Sequence, residues 1–244
     1  MLIEVVTCKR SRSRSLILLL KSGIGWQDWS SAENATSLRN HSKMRKKESD
    51  LPERIKHSSI PGEIIVAYEP LVIETTGGDM DTSESITGTL LLKKMADKYL
   101  NGTTIDVYAT KNEKPKAYID GQEVSVSFSH TDHAIVAAIS RTLNVGVDME
   151  SVNRKVHERL SKRMLAPNEG NGLYHENPLI QIWTFKEAAL KMIGTGLRKP
   201  MNHVSVSNED ENLFNAEFDD GKKAKICSFQ HQEHWISICY EKLP

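Results

Sequence analysis

A chain of 244 residues with 32 basic and 32 acidic side chains carries no formal net charge. Its overall charge therefore gives no reason to expect nucleic acid or an anionic membrane as the general partner, and any anion site must be local. The three cysteines, Cys8, Cys227 and Cys239, are too few and too irregularly spaced for a disulfide framework or a zinc motif, which points to a reducing, cytoplasmic setting.

Residues 9–14 are basic and precede an apolar run at 16–20, which imitates a secretory signal, but Lys21 cuts that run short of the usual ~7 to 15 residues. No stretch reaches the ~20 apolar residues that span a bilayer. Residues 1–60 read as a poorly defined basic and polar segment. From Glu63 onward the pattern sharpens, with strands predicted at 64–68 and 71–73 around Pro70. A helix follows over 86–100, stopped by Asn101-Gly102. Strands are then predicted at 105–109, 124–128, 134–140 and 145–150, the last two joined as a hairpin through a polar turn. Helices are expected at 156–164 and 179–192, the second closed by Gly194 and Gly196, before four tail strands at 204–206, 216–218, 224–229 and 235–240. Helices mixed with mainly antiparallel strands make this an α+β fold, divided into an N-terminal half at 61–125 and a C-terminal half at 126–244.

Two stretches carry chemistry. In Gly146-Val147-Asp148-Met149-Glu150 the carboxylates alternate with apolar residues, so on a strand Asp148 and Glu150 share one face, suited to a hard cation. In Trp183-Thr184-Phe185-Lys186-Glu187-Ala188-Ala189-Leu190-Lys191, helical spacing stacks Trp183, Glu187 and Lys191 along one stripe, with Lys186 displaced by one residue. Together they read as parts of a divalent-metal phosphate site. Each has an ordinary reading too: Asp-x-Glu as a solvated strand edge, Glu187 and Lys191 as an i,i+4 ion pair of about 0.3 to 0.5 kcal/mol, and Trp183 as a core anchor.

Read with their neighbours, these stretches resemble the 4′-phosphopantetheinyl transferases, and among them the longer, surfactin-synthetase-activating type. Lys114-Pro115 is similar to that family's lysine-proline element, Ser129-His130 to its serine-histidine block, Gly146 to Glu150 to its Gly-x-Asp-x-Glu block, and Trp183 to Lys191 to its Trp-x-x-Lys-Glu-Ala-x-x-Lys block. Gly194-Thr195-Gly196-Leu197 resembles the family's usual exit from that helix. Single elements of this kind are weak, whereas the ordered set is specific. One departure is Asn112, where the family commonly has glycine.

The resemblance implies a pseudo-dimer of two similar halves, each a small antiparallel sheet with a long helix, binding coenzyme A between them. It implies transfer of the 4′-phosphopantetheine arm to a serine of an apo acyl or peptidyl carrier protein, with release of 3′,5′-ADP. Asp148, Glu150 and Glu187 would ligate Mg²⁺, with Mn²⁺ tolerated. Glu187, Lys191 and Asp148 would be catalytic, and Glu187 would take the serine proton, directly or through water. Lys114, Pro115, Ser129, His130, Asp148, Lys186 and Lys191 would contact coenzyme A. Lys43, Arg45, Lys46 and Lys93 are candidates for further phosphate contacts. A monomer is expected. Two alternatives stay open: a noncatalytic protein that binds coenzyme A or a carrier protein, and a Mg²⁺-dependent phosphohydrolase.

Overall fold

Alternation of buried and exposed side chains along the strands builds two antiparallel sheets, each covered on its outer face by one long helix. A computed structural model describes residues 52–71, 80–109, 113–157, 159–170 and 172–243, all within the unit Lys46–Pro244. The first sheet comprises β1 (Glu53–Ile55), β2 (Ile64–Pro70), β3 (Ile105–Tyr108), β4 (Lys116–Ile119), β5 (Gln122–His130) and β6 (Ala134–Ser140), in the order β1-β2-β6-β5-β4-β3. The second comprises β7 (Leu143–Ser151), β8 (Val204–Asp210), β9 (Leu213–Phe218), β10 (Lys223–His231) and β11 (His234–Lys242), in the order β7-β11-β10-β9-β8. The helices are α1 (Met80–Tyr99), α2 (Arg159–Met164), α3 (Gly172–Glu176) and α4 (Leu179–Met192).

Three apolar clusters set the layers. Leu91, Leu92, Met95 and Ala96 of α1 pack on Ile135, Ala137 and Ile139 of β6. The opposite face of that strand, Ala134, Val136 and Ala138, meets Val145, Val147 and Met149 of β7 with Phe229, Ile236 and Ile238. The far side of the second sheet, including Val204, Phe214, Ala216 and Ile226, receives Ile182, Phe185 and Ala189 of α4. The order is thus helix, sheet, sheet, helix, each sheet alternating its residues between two apolar neighbours.

Several sequence expectations change. The hairpin predicted for 134–140 and 145–150 does not form: β6 belongs to the first sheet and β7 to the second. Ser140 Oγ accepts from the backbone of Thr142 at 3.3 Å and Leu143 at 3.1 Å, turning the chain across the gap. Both strands are apolar because they face each other's sheets, and apolar alternation alone does not distinguish this from a ladder. β1, β4 and α3 are additional elements, and α2 begins at Arg159, three residues later than expected. The boundary drawn between 125 and 126 falls inside β5, which pairs with β4 and β6. Residues 72–73, Asn112, Lys43, Arg45 and Lys46 lie outside the described residues. No helix among the described residues is long and apolar enough to cross a membrane.

Candidate active site

Glycine at 146 determines how closely β7 approaches α4. A Cβ there would lie 2.2 Å from the carbonyl oxygen of Ala188 and 2.3 Å from the backbone nitrogen of Met192, so only a bare backbone fits. The strand's parity then aims Asp148 and Glu150 at the helix while Val147 and Met149 enter the core between the sheets. On α4, Glu187 and Lys191 are one turn apart on the face that meets β7.

A second set of contacts joins β7 to β5. Ser125, Ser127 and Ser129 occupy alternate positions, so their hydroxyls share a side. Ser125 Oγ accepts from Val145 N at 2.9 Å, and Ser127 Oγ accepts from Val147 N at 3.0 Å. The third hydroxyl reverses the polarity: Ser129 Oγ donates to Asp148 Oδ1 at 2.8 Å. Side chains thereby satisfy backbone groups on a strand edge where no ladder runs.

Asp148, Ser129 and Lys191 form a closed trio. Lys191 Nζ donates to Asp148 Oδ1 at 2.7 Å and to Ser129 Oγ at 2.8 Å. Asp148 is 4% exposed, and its other oxygen, Oδ2, is buried with no hydrogen-bond partner among the described residues. Glu187 is 7% exposed. Burial, followed by the Asp148 charge, pushes its carboxyl up to about 7, against the lowering fields of Lys191 and Arg154. Glu150 also rises, first through burial, while its bond to Arg154 opposes the shift. Arg154 donates from Nη1 to Glu150 Oε1.

The residues present suit a hard divalent cation in donor chemistry. An orphaned carboxylate oxygen on Asp148 adjoins two further carboxylates whose charges reach one another, and oxygen donors of this kind suit Mg²⁺. They are not gathered into a finished coordination cluster: no group of three or more His, Cys, Asp or Glu side chains among the described residues is arranged to hold a metal. Asp148 and Glu150 are instead directed onto Lys191 and Arg154.

The other expected contacts lie elsewhere. Lys186 is fully buried and turned away from this trio: its Nζ donates to Met164 O and Val204 O at 2.7 Å and to both Glu169 oxygens at 2.8 Å. The expectation that Lys186 reaches a phosphate or pairs with Glu187 is thus corrected, because an ammonium among apolar side chains needs an interior counter-charge. Lys114 binds Val145 O at 2.8 Å and Met192 O at 2.9 Å, with Asn144 and Ser125 beside it. It thus ties β7 to the carboxyl end of α4, where Gly194 at φ +77 leaves room for the lysine stem. Burial lowers the Lys114 ammonium to about 8. Pro115 directly precedes β4, His130 ends β5 on the exposed side, and Lys93 is half-buried on α1.

Arg154 and Glu169 are the residues that sequence reasoning missed. Lys186 among Ile182, Phe185, Ala188 and Ala189 was a signal for a buried carboxylate; no comparable signal marked Arg154. A separate groove of about 1270 Å³, lined by residues including Asn168, His203, Glu217 and Lys225, contains none of the trio.

Residues 144–239 match the 4′-phosphopantetheinyl transferase superfamily. The segment includes β7, α4 and their contact. Among curated proteins, the chain is similar to the 4′-phosphopantetheinyl transferase gsp of Aneurinibacillus migulanus, 26% identical over 167 residues that cover 61% of this chain and 69% of that protein. It is likewise similar to a 4′-phosphopantetheinyl transferase of Bacillus subtilis, 25% identical over 168 residues, covering 65% and 74%.

Proposed function

We propose that this chain is an enzyme of the surfactin-synthetase-activating type that moves the 4′-phosphopantetheine arm of coenzyme A to a serine hydroxyl of an apo acyl or peptidyl carrier protein. The observation that carries this reading is the convergence of Asp148 and Lys191 beside the buried Glu187, all three inside the segment that matches the superfamily, with Ser129 of β5 reaching in from outside it. The carrier serine oxygen forms a bond to the phosphorus that bears the pantetheine arm. The bond from that phosphorus to the nucleotide phosphate breaks, and 3′,5′-ADP leaves with the electron pair. Glu187 receives the serine proton, a task for which a carboxylate near 7 is suited.

Lys191 supplies positive charge to the phosphate as the bond breaks, and Ser129 holds both Lys191 and Asp148 in position. Asp148, Glu150 and Glu187 would hold Mg²⁺, or Mn²⁺ in its place, which when bound offsets the negative charge of the pyrophosphate. Asp148 Oδ2 is a buried ligand atom without a partner among the described residues. Ser129 and His130 would approach coenzyme A from the β5 side. Lys114 acts through position, by fixing β7 on α4. The protein works as a cytoplasmic monomer.

Mass spectrometry on a panel of apo carrier proteins incubated with coenzyme A and Mg²⁺ tests the reading. A mass increase of one phosphopantetheine arm on the carrier is expected. Binding of coenzyme A with no modification of any carrier defeats it, as does release of inorganic phosphate without a carrier.

A further inference from the structure

Arg154 lies on the turn that leaves β7, held by its backbone nitrogen on Ser151 O at 3.0 Å. Its guanidinium has two partners among the described residues. It donates to Glu150 Oε1, and its centre lies 5.5 Å from the ring centroid of Trp183. Trp183 is on the second turn of α4, one helical turn before Glu187. The guanidinium therefore bridges the strand and helix that carry the three carboxylates.

The two ends of the bridge differ in what they offer. Glu150 has a side chain only 15% exposed, whereas Arg154 is 50% exposed. Water therefore screens the arginine more than the carboxylate, and a compact dication on Glu150 would outcompete a half-solvated guanidinium. An indole face holds a cation without using a carboxylate oxygen. Arg154 lies beyond the last pair of the β7–β11 ladder, Ser151 with His234, so its side chain can turn without shifting that register.

We propose that Arg154 is a resident counter-cation of Glu150, which a divalent metal displaces on binding, and that Trp183 keeps the displaced guanidinium beside the site. This rests on the metal reading of Asp148, Glu150 and Glu187 given above. Arg154 is thus a positioning residue that sets the metal threshold. It holds Glu150 toward α4 before metal arrives and competes with the ion for the same oxygen.

The test is Mn²⁺ binding to the full chain without coenzyme A, followed by electron paramagnetic resonance of the free ion. The same proteins are titrated with Mg²⁺ and followed by tryptophan emission, with Trp183→Phe as the blank. Arg154→Gln is expected to bind Mn²⁺ about 2- to 5-fold more tightly, the scale of a partly exposed ion pair, while Arg154→Lys stays close to wild type. Wild type should show a Mg²⁺-dependent emission change that both Trp183→Phe and Arg154→Gln lack. Wild-type binding that Arg154→Gln leaves unchanged or weakens overturns the role of Arg154 and leaves the metal reading intact. Wild-type binding that Asp148→Asn does not weaken, or no binding at all, overturns the metal reading and this proposal with it.

Discussion

Lys191 Nζ lies 2.7 Å from Asp148 Oδ1, joining the helix to the strand through a charge-assisted bond with the aspartate almost fully enclosed. Removing the ammonium takes away the proposed phosphate contact and leaves a buried carboxylate short of a partner. Lys191→Ala is expected to lower kcat/KM for carrier modification by 10²-fold or more, on the scale of losing one transition-state donor. Its urea midpoint should fall by the equivalent of about 1 to 3 kcal/mol. Radiolabelled coenzyme A transfer and equilibrium unfolding read the two effects separately.

Glu187 makes the site titrate. Its carboxyl stands at about 7 in the fold against an ordinary 4.5, so the folded chain binds more protons than the unfolded chain between those values. Stability from this group is present below about pH 4.5 and is lost as pH rises through about 7. Glu187→Gln should therefore stabilise the fold at pH 8 by on the order of 2 kcal/mol, seen as a higher melting temperature, and change little at pH 4.5, while transfer is lost. Calorimetry across that range checks it. A melting difference of the same size at both pH values would show that the carboxyl's charge is not responsible.

Gly146→Ala forces a Cβ to within 2.2 Å of the Ala188 carbonyl oxygen. Strand and helix must part, at a cost of about 1 to 3 kcal/mol as for other overpacked interiors. Asp148 and Glu150 move off α4 with the strand, so transfer by the folded fraction should fall along with stability. Unfolding curves and carrier modification at low temperature measure both. Full transfer in a destabilised variant would mean that the approach matters for packing alone.

Lys186 and Glu169 give a contrasting case. Their contact is wholly interior, with Tyr174 and the backbone of Val206 also bound to the carboxylate. Lys186→Met should cost about 3 to 5 kcal/mol by stranding Glu169. The double variant with Glu169→Gln should cost less than the sum of the two single changes. Coenzyme A affinity of the folded Lys186→Met protein should match wild type in isothermal titration. A large loss of affinity at unchanged stability would return Lys186 to the phosphate.

Much of the site was legible because it depends on local periodicity. The i,i+2 spacing of Asp148 and Glu150 fixes their shared face, and i,i+4 places Glu187 and Lys191 together. Gly146 before Asp148 was part of the motif, although the reason for it is a contact with residues some forty positions away. What could not be read was which sheet each strand joins: β6 and β7 look like a hairpin because both are apolar on the side that meets the other sheet. β4 was missed even though Asp120-Gly121, with φ of 53° and 75°, is a strong two-residue turn signal. The partners of Lys186 and Glu150 were hidden too, since Glu169 and Arg154 lie in connections with no periodicity to place them.

The row of Ser125, Ser127 and Ser129 determines how tightly the two sheets can be registered near the chemistry. A backbone ladder would lock β5 and β7 through rigid amides, whereas three hydroxyls, each turning about one torsion, allow small slides between the sheets. Ser127 can absorb such a slide by rotating under an N–H, whereas Ser125 is also tied to Lys114 and Asn144. Ser129 has no such freedom, because it must face Lys191 and Asp148 together. A slide of the sheets at Ser129 is therefore passed directly to Asp148 and Lys191.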